Sequence, residues 1–445
     1  MEQPKASTHF FETEQIGRII LRLAPPIMLA QLVHGLYNVV DSYFIGQYSS
    51  DGLAALSLMF PIQLLIGAIG HGTGIGVNTL ITRYNGAGDT ERAKVIARVG
   101  TSLAVLNWLV FAVLSFCLLD KYLAVATASA EIRREAAAYG YIICIGSLGV
   151  FLDCIWTKIY QADGNMRLPM VAQIVGTVIN IVLDPILIWG LLGLPEMGIA
   201  GAAIATLAGQ VGAALITMRG GFRGLSSLTV IKKNGPLIYK TGLPSIVMQS
   251  FYTIYIFGLN LILVGFSDAA VTALGLYYKL QSFFFIPLFG LQGCVLPVLS
   301  YNYAANHWDR CREIFRFSLL VVGIFMGIGM VIFELIPGPL ILMFGANQEV
   351  LEIGIPAFRI IATAFIPASI SMLMPIVFQA LNRGRESLAV TILRQIVLLV
   401  PVAWILSRFG LIYTWLTFPI SECITVAVAL MLYRKILSEM KTAMR

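Results

Sequence analysis

The sequence predicts an all-α integral membrane protein, with twelve transmembrane helices in two six-helix bundles related by a pseudo-twofold axis along the membrane normal. Three observations predict it. Hydrophobic residues make up 58% of the chain against 12% charged, and the mean hydropathy is +0.84, a balance outside the range of soluble domains. Apolar runs long enough to cross a hydrocarbon core recur from one end to the other. The chain also repeats itself, its second half falling into register with the first at a displacement of about 218 residues.

The predicted spans lie at about 23–45, 53–83, 95–118, 135–161, 168–192, 197–218, 243–265, 270–304, 313–336, 350–381, 387–407 and 410–433. Several run beyond about 25 residues, so tilting, kinking or extension past the hydrocarbon is expected. The first span opens on Ala24-Pro25-Pro26 and carries His34, Tyr37 and Asp41. It lacks the short apolar core and small-residue cleavage site of a signal peptide, so it is read as retained. The second holds Gly70-His71-Gly72-Thr73-Gly74-Ile75-Gly76, small residues that let helices approach closely rather than a nucleotide-binding loop. Asp153 and Lys158 in the fourth span are expected to compensate each other or reach an interface, and Glu334 and Glu422 to sit near span ends. Lys279 and Arg394 are the main intramembrane bases of the second half.

Charge placement orients the chain, because Lys and Arg concentrate in cytoplasmic loops. One set of loops holds Lys5, Arg18 and Arg22, then Arg83, Arg92, Lys94 and Arg98, then Arg167, then Arg219, Arg223, Lys232, Lys233 and Lys240. It continues with Arg310, Arg312, Arg316, Arg383, Arg385 and the tail from Arg434, whereas the opposite loops offer Lys121, Arg133, Arg134 and Arg408. Both termini are therefore expected in the cytoplasm. This bias accounts for the formal net charge of +7 without a nucleic-acid partner. The six cysteines, Cys117, Cys144, Cys154, Cys294, Cys311 and Cys423, form no C-x-x-C pair, and no HExxH, P-loop or GxSxG motif is present. Neither a disulfide frame, a zinc site nor a familiar enzyme centre is indicated.

In the repeat, Pro26 meets Pro244, Gln31 meets Gln249, Tyr37 meets Tyr255, and Leu53-Ala-Ala-Leu-Ser-Leu58 meets Val271-Thr-Ala-Leu-Gly-Leu276. After a slip of one residue Tyr84-Asn85 meets Tyr301-Asn302, and farther on Gln161-Ala162 meets Gln379-Ala380. Six spans per copy is an even number, so both copies enter the membrane with one orientation and enclose a central cleft that rocking motions would open to either side. The expected organisation is an N-terminal lobe over 1–218 holding an ion site, a basic cytoplasmic linker over 219–242 acting as a flexible tether, and a C-terminal lobe over 243–445.

The halves differ where chemistry is concerned. Asp184, whose counterpart is Val402, lies in the apolar run Met170–Trp189, where a carboxylate costs roughly 2.5–3.5 kcal/mol on insertion scales and normally faces a partner or a watery cavity. Asn180 is four residues earlier and shares its helix face. Pro185 removes a backbone donor, which is expected to bend the helix and expose carbonyl oxygens. Asp41, aligned with Leu259, is the second carboxylate, and Thr206 of the sixth span adds a hydroxyl. Asp41, Asn180, Asp184 and Thr206 together make an oxygen-rich set suited to a hard cation or to a proton shared between acids. Tyr37, Met59, Phe283, Lys279 and Arg394 are candidates for lining a substrate cavity.

The Pro25-Pro26 to Asp41 first span, the Asn180-x-x-x-Asp184-Pro185 fifth span, the Ala205-Thr206 pair and the Tyr301-Asn302 loop resemble the multidrug and toxic compound extrusion (MATE) family, in its bacterial branch. The resemblance covers nearly the whole chain. It implies a non-enzymatic secondary active antiporter, acting as a monomer in the bacterial cytoplasmic (inner) membrane. Its expected activity is export of cationic, amphipathic small organic molecules in exchange for Na+ or H+, with no other cofactor. The resemblance maps Asp41, Asn180, Asp184 and Thr206 to the first-lobe cation site. The alternative is a flippase for a lipid-linked cell-wall or polysaccharide precursor, in which Lys279 and Arg394 would grip phosphate.

Overall fold

A segment surrounded by hydrocarbon must satisfy its backbone hydrogen bonds internally, and a helix does so without a partner strand. The computed structural model describes residues 8–344 and 347–443, and each predicted span contains a helix. Among these residues nine helices are long and apolar enough to cross a membrane, and three bent helix pairs bring the total to twelve. The first six spans are Ile16–Tyr48, Ser50–Gly86, Thr90–Ala126, the pair Ala130–Gly146 and Leu148–Ala162, Arg167–Ile188, and Gly198–Gly221. The next six are Leu228–Val264, the pair Asp268–Phe284 and Ile286–Ala304, Trp308–Leu335, the pair Gln348–Ala362 and Phe365–Ala380, then Gly384–Ser407 and Leu411–Glu439. The bends in the fourth, eighth and tenth spans are 44°, 49° and 55°.

Short polar side chains begin the helices. The Ser49 hydroxyl accepts from the Gly52 amide at 3.0 Å, Asp89 from Arg92 at 3.1 Å, Ser129 from Ile132 at 3.4 Å, Ser267 from Ala270 at 3.2 Å, and Asn347 from Val350 at 2.9 Å. Each cap satisfies one of the amides that the first helical turn leaves unpaired.

The chain divides into two compact units, one made mainly of Leu21–Ile246 and one made of Gln15–Ile20 with the chain from Val247 onward. In the first unit the core gathers Met59, Val77, Leu103, Tyr139, Phe151 and Trp156 from the second, third and fourth spans. One close crossing joins the fifth and sixth spans. A Cβ at Gly209 would stand 2.4 Å from the Gly176 carbonyl oxygen, so the two backbones meet where any side chain would hold them apart. In the second unit Tyr277, Phe333, Phe358 and Phe365 pack with ring centroids 5.1–6.5 Å apart, the spacing of favourable aromatic pairs.

Three expectations need correction. The stretch 219–242 is mostly helix, since the sixth span ends at Gly221 and the seventh starts at Leu228, leaving six residues between them. Three of its glycines, Gly220, Gly221 and Gly242, serve close contact: a Cβ on Gly242 would meet the Gly72 carbonyl oxygen at 2.2 Å. Pro185 does not open the fifth span, which stays helical to Ile188. A proline four residues from a helix end removes one bond and leaves little helix beyond it to be deflected. Tyr301 and Asn302 form the last turns of the eighth span rather than a loop, and Asn302 donates to the Val298 carbonyl at 2.9 Å.

Candidate ion-coupling site

Asn180 and Asp184 point from one face of the fifth span, as their spacing requires, and both are buried, with Asp184 at 0% exposure. The Asn180 amide Nδ2 donates to Asp184 Oδ1 and to the Thr206 hydroxyl, each at 3.3 Å. The close approach at Gly176 and Gly209 brings Thr206 within reach, because Gly209 lies one turn beyond it on the sixth span. On the first span the Tyr37 hydroxyl stands 3.3 Å from the Thr206 hydroxyl. Asp41, four residues on from Tyr37, is 6% exposed and close enough to Asp184 for the two charges to interact. Three spans therefore converge on the four residues Asp41, Asn180, Asp184 and Thr206.

The hydrogen bonds leave acceptors over. Asp41 Oδ1, Asn180 Oδ1, Asp184 Oδ2 and the Thr177 hydroxyl are buried without a hydrogen-bond partner among the described residues. Unmet buried acceptors cost about 1–3 kcal/mol each, more when charged. A proton, or a hard cation taking oxygen ligands, answers that deficit. Among the described residues no three of His, Cys, Asp and Glu converge as a metal-ligating group. The donor set is instead two carboxylates completed by amide and hydroxyl oxygens, which fits a singly charged hard ion.

Sequence reasoning missed three residues here. Thr177 lies three residues before Asn180, so the 177, 180, 184 spacing on one helix face was available as a signal. Tyr139 is fully buried, within electrostatic reach of Asp41 and Tyr37, and its hydroxyl accepts from Gln63 Nε2 at 2.6 Å. Nothing in the periodicity of the second and fourth spans joins those two.

The other polar residues of the first unit fall elsewhere. Asp153 accepts from the Thr217 hydroxyl at 2.9 Å, while Lys158 donates to Gln161 Oε1 at 2.8 Å, so the two do not pair with each other. His34 lies 3.4 Å from Gln173 Nε2. Met59 is fully buried in the core, where a Cβ on Gly140 would crowd its Sδ and Cε atoms.

In the second unit Phe283 and Lys279 are exposed on the eighth span. Arg394 donates from Nε at 2.8 Å and from Nη2 at 2.6 Å to one oxygen of Glu422, whose other oxygen accepts from the Ser371 hydroxyl. Glu422 is thus deep in the bundle, at 3% exposure, and not near a span end. A buried guanidinium is retained in hydrocarbon by such a partner.

The protein's relatives agree with this architecture. The MatE family profile matches residues 26–186 and 244–405. The multidrug export protein MepA of Staphylococcus aureus (strain MSSA476) is 24% identical over 433 residues, 95% of each chain. MepA of Staphylococcus haemolyticus is 24% identical over 411 residues, 90% of each. Among solved structures, an outward-facing multidrug resistance MATE family transporter of the MOP superfamily superposes with a TM-score of 0.90 at 22% identity, covering 99% of this chain and 100% of the other. A MOP superfamily transporter from Pyrococcus furiosus gives 0.89 at 23% identity, with the same coverage. With the profile spanning most of both halves, the chain belongs to the MatE family, the multidrug and toxic compound extrusion transporters.

Proposed function

We propose that the protein is a secondary active exporter of cationic, amphipathic compounds, working by alternating access in a bacterial cytoplasmic membrane with both termini in the cytoplasm. The family couples transport to Na+ or H+, and Asp41, Asn180, Asp184 and Thr206 are the residues assigned to that ion. The observation that carries the assignment is the trio of unmet acceptors, Asp41 Oδ1, Asn180 Oδ1 and Asp184 Oδ2, buried in one lobe. An ion that supplies what these atoms lack stabilises the arrangement in which they converge. It drives a conformational cycle only through its different affinity for the two states. The full-length similarity to MepA, named as a multidrug export protein, supports the substrate class.

The test is dye export from proteoliposomes under separately imposed Na+ and pH gradients, comparing wild type with Asp184→Asn. The expected result is gradient-driven export by wild type and its loss in the variant. Undiminished export by Asp184→Asn overturns the site assignment.

A further inference from the structure

The polar residues of the fifth span do not end at the coupling site. Asp184, Asn180, Thr177 and Gln173 follow one another at steps of four, three and four, so they share one helix face. On the sixth span Thr206, Gln210 and Thr217 are spaced by four and seven, again on one face. At a helical rise of about 1.5 Å per residue, each stripe covers about 16 Å of depth. Both start at the coupling site and run toward the end that the proposed orientation places in the cytoplasm.

The middle of these stripes is unsatisfied. The Thr177 hydroxyl and Gln210 Oε1 are buried without a hydrogen-bond partner among the described residues, and Thr177 is 6% exposed. Polar side chains that only hold membrane helices together bond across to a neighbouring helix. These two are left open on the same two spans that carry Asn180, Asp184 and Thr206.

Two further spans of the first unit supply the inner end. Gln173 Nε2 lies 3.4 Å from the ring of His34, which is seven residues before Asp41 on the first span. The Thr217 hydroxyl donates to Asp153 Oδ1 at 2.9 Å, and the Thr157 hydroxyl stands 3.5 Å from the same atom. Asp153 is half-buried and lies well inside the helix Leu148–Ala162. A carboxylate at that depth, held by hydroxyls rather than by a cation, faces water and not lipid. At the displacement that aligns the halves, Asp153 corresponds to Ser371 and Gln210 to Val428. Both are therefore peculiar to the first copy, as Asp184 is.

We propose that the two stripes form the inner half of the coupling ion's route, by which the ion leaves Asp184 and Asn180 past Thr177 and Gln210 and enters the cytoplasm at Asp153. Oxygens one turn apart on a helix face are separated by about 5–6 Å, a gap that one water closes with two bonds of about 2.8 Å. A hydrated Na+ or a proton handed along such waters is served by the same oxygens. Asp153 is the last negative charge on the way and holds the ion before release. The inference rests on the export reading above, to which it adds the exit of the ion.

Ion release is a step of net export but no step of substrate-for-substrate exchange, in which the carrier returns loaded. Full-length protein in proteoliposomes is therefore assayed with radiolabelled ethidium in two modes. In one, an imposed Na+ or pH gradient drives net ethidium movement; in the other, labelled ethidium exchanges for unlabelled ethidium with no gradient. The variants are Asp153→Asn, which keeps an acceptor for Thr217, and Gln210→Met, which keeps the length and loses the amide. The expected result is net movement slowed about tenfold in Asp153→Asn and about fivefold in Gln210→Met, the scales of a charge-assisted and a neutral hydrogen bond, with exchange within about twofold of wild type. Net movement at the wild-type rate in Asp153→Asn overturns the proposal, and so does a parallel fall of both modes, which marks a structural defect. Where Asp153→Asn fails to fold, Gln210→Met decides by the same split. If wild type moves ethidium and neither variant separates the two modes, the route falls alone; if wild type moves none under any gradient, the transport reading falls and the route with it.

Discussion

The crossing of the fifth and sixth spans sets how closely Asn180 and Thr206 can meet, and Gly209→Ala probes it directly. The added methyl would lie 2.4 Å from the Gly176 carbonyl oxygen, whereas ordinary contact starts at 3.4 Å. The obstacle is backbone on both sides, so the helices must separate by about 1 Å, an overpacking that costs about 1–3 kcal/mol. The same displacement takes the Asn180 to Thr206 bond from 3.3 Å to about 4 Å, beyond hydrogen-bond range. Loss of one such bond, about 1 kcal/mol, weakens apparent affinity for the coupling ion about fivefold. Thermal unfolding in detergent measures the first effect, and the dependence of dye export on ion concentration measures the second. Gly35→Ala in the same lobe is the control, because nothing lies within 4 Å of its added Cβ and alanine gains roughly 0.5–1 kcal/mol over glycine within a helix. If Gly209→Ala unfolds at the wild-type temperature with ion dependence intact, the crossing has slack and the reasoning fails.

Other outcomes follow from the same contacts. Thr206→Val removes the hydroxyl shared by Tyr37 and Asn180, and the expected effect is a loss of about 1–3 kcal/mol in ion-dependent stabilisation, read as a smaller Tm increment on adding ion. Arg394→Met alone leaves Glu422 buried and unpaired, costing about 3–5 kcal/mol, while adding Glu422→Gln recovers most of it; equal stability of the single and double variants would count against the ion pair's role. In a background without the six cysteines, a cysteine at Lys232 should be labelled by an impermeant maleimide only from the cytoplasmic side and one at Ala128 only from outside, and the reverse pattern would invert the orientation. Ser267→Ala removes the cap on Ala270 and should cost about 1 kcal/mol, measurable as a lower Tm.

The membrane architecture was legible because hydrocarbon imposes one rule on every span, and composition reports compliance with it residue by residue. The fifth-span pair was legible for a similar reason, since Asn180 and Asp184 are joined by helix geometry alone. Contacts between spans were not. Glu422 looked like a residue near a span end because nothing in a single helix says that Arg394 of the neighbouring span will neutralise it. Pro185 also misled: it lies inside an unbroken helix, as Pro61, Pro244 and Pro375 do, whereas the fourth span breaks at Ser147 without a proline. Loss of one hydrogen bond bends a helix only when packing favours the bent form. The break at Phe285 had a cue, since Pro287 opens the following segment, the position where a missing amide costs least.

The bends carry a record of descent. The break at Ser147 in the fourth span and that between Ala362 and Phe365 in the tenth fall within two residues of one another once the halves are aligned. A joint held in both copies dates from the ancestral single repeat. The break at Phe285 aligns with Gly67, inside the uninterrupted helix Ser50–Gly86, so the two copies have diverged there. An engineered chain built from two first-half copies would inherit the shared joint twice and the second-half joint not at all.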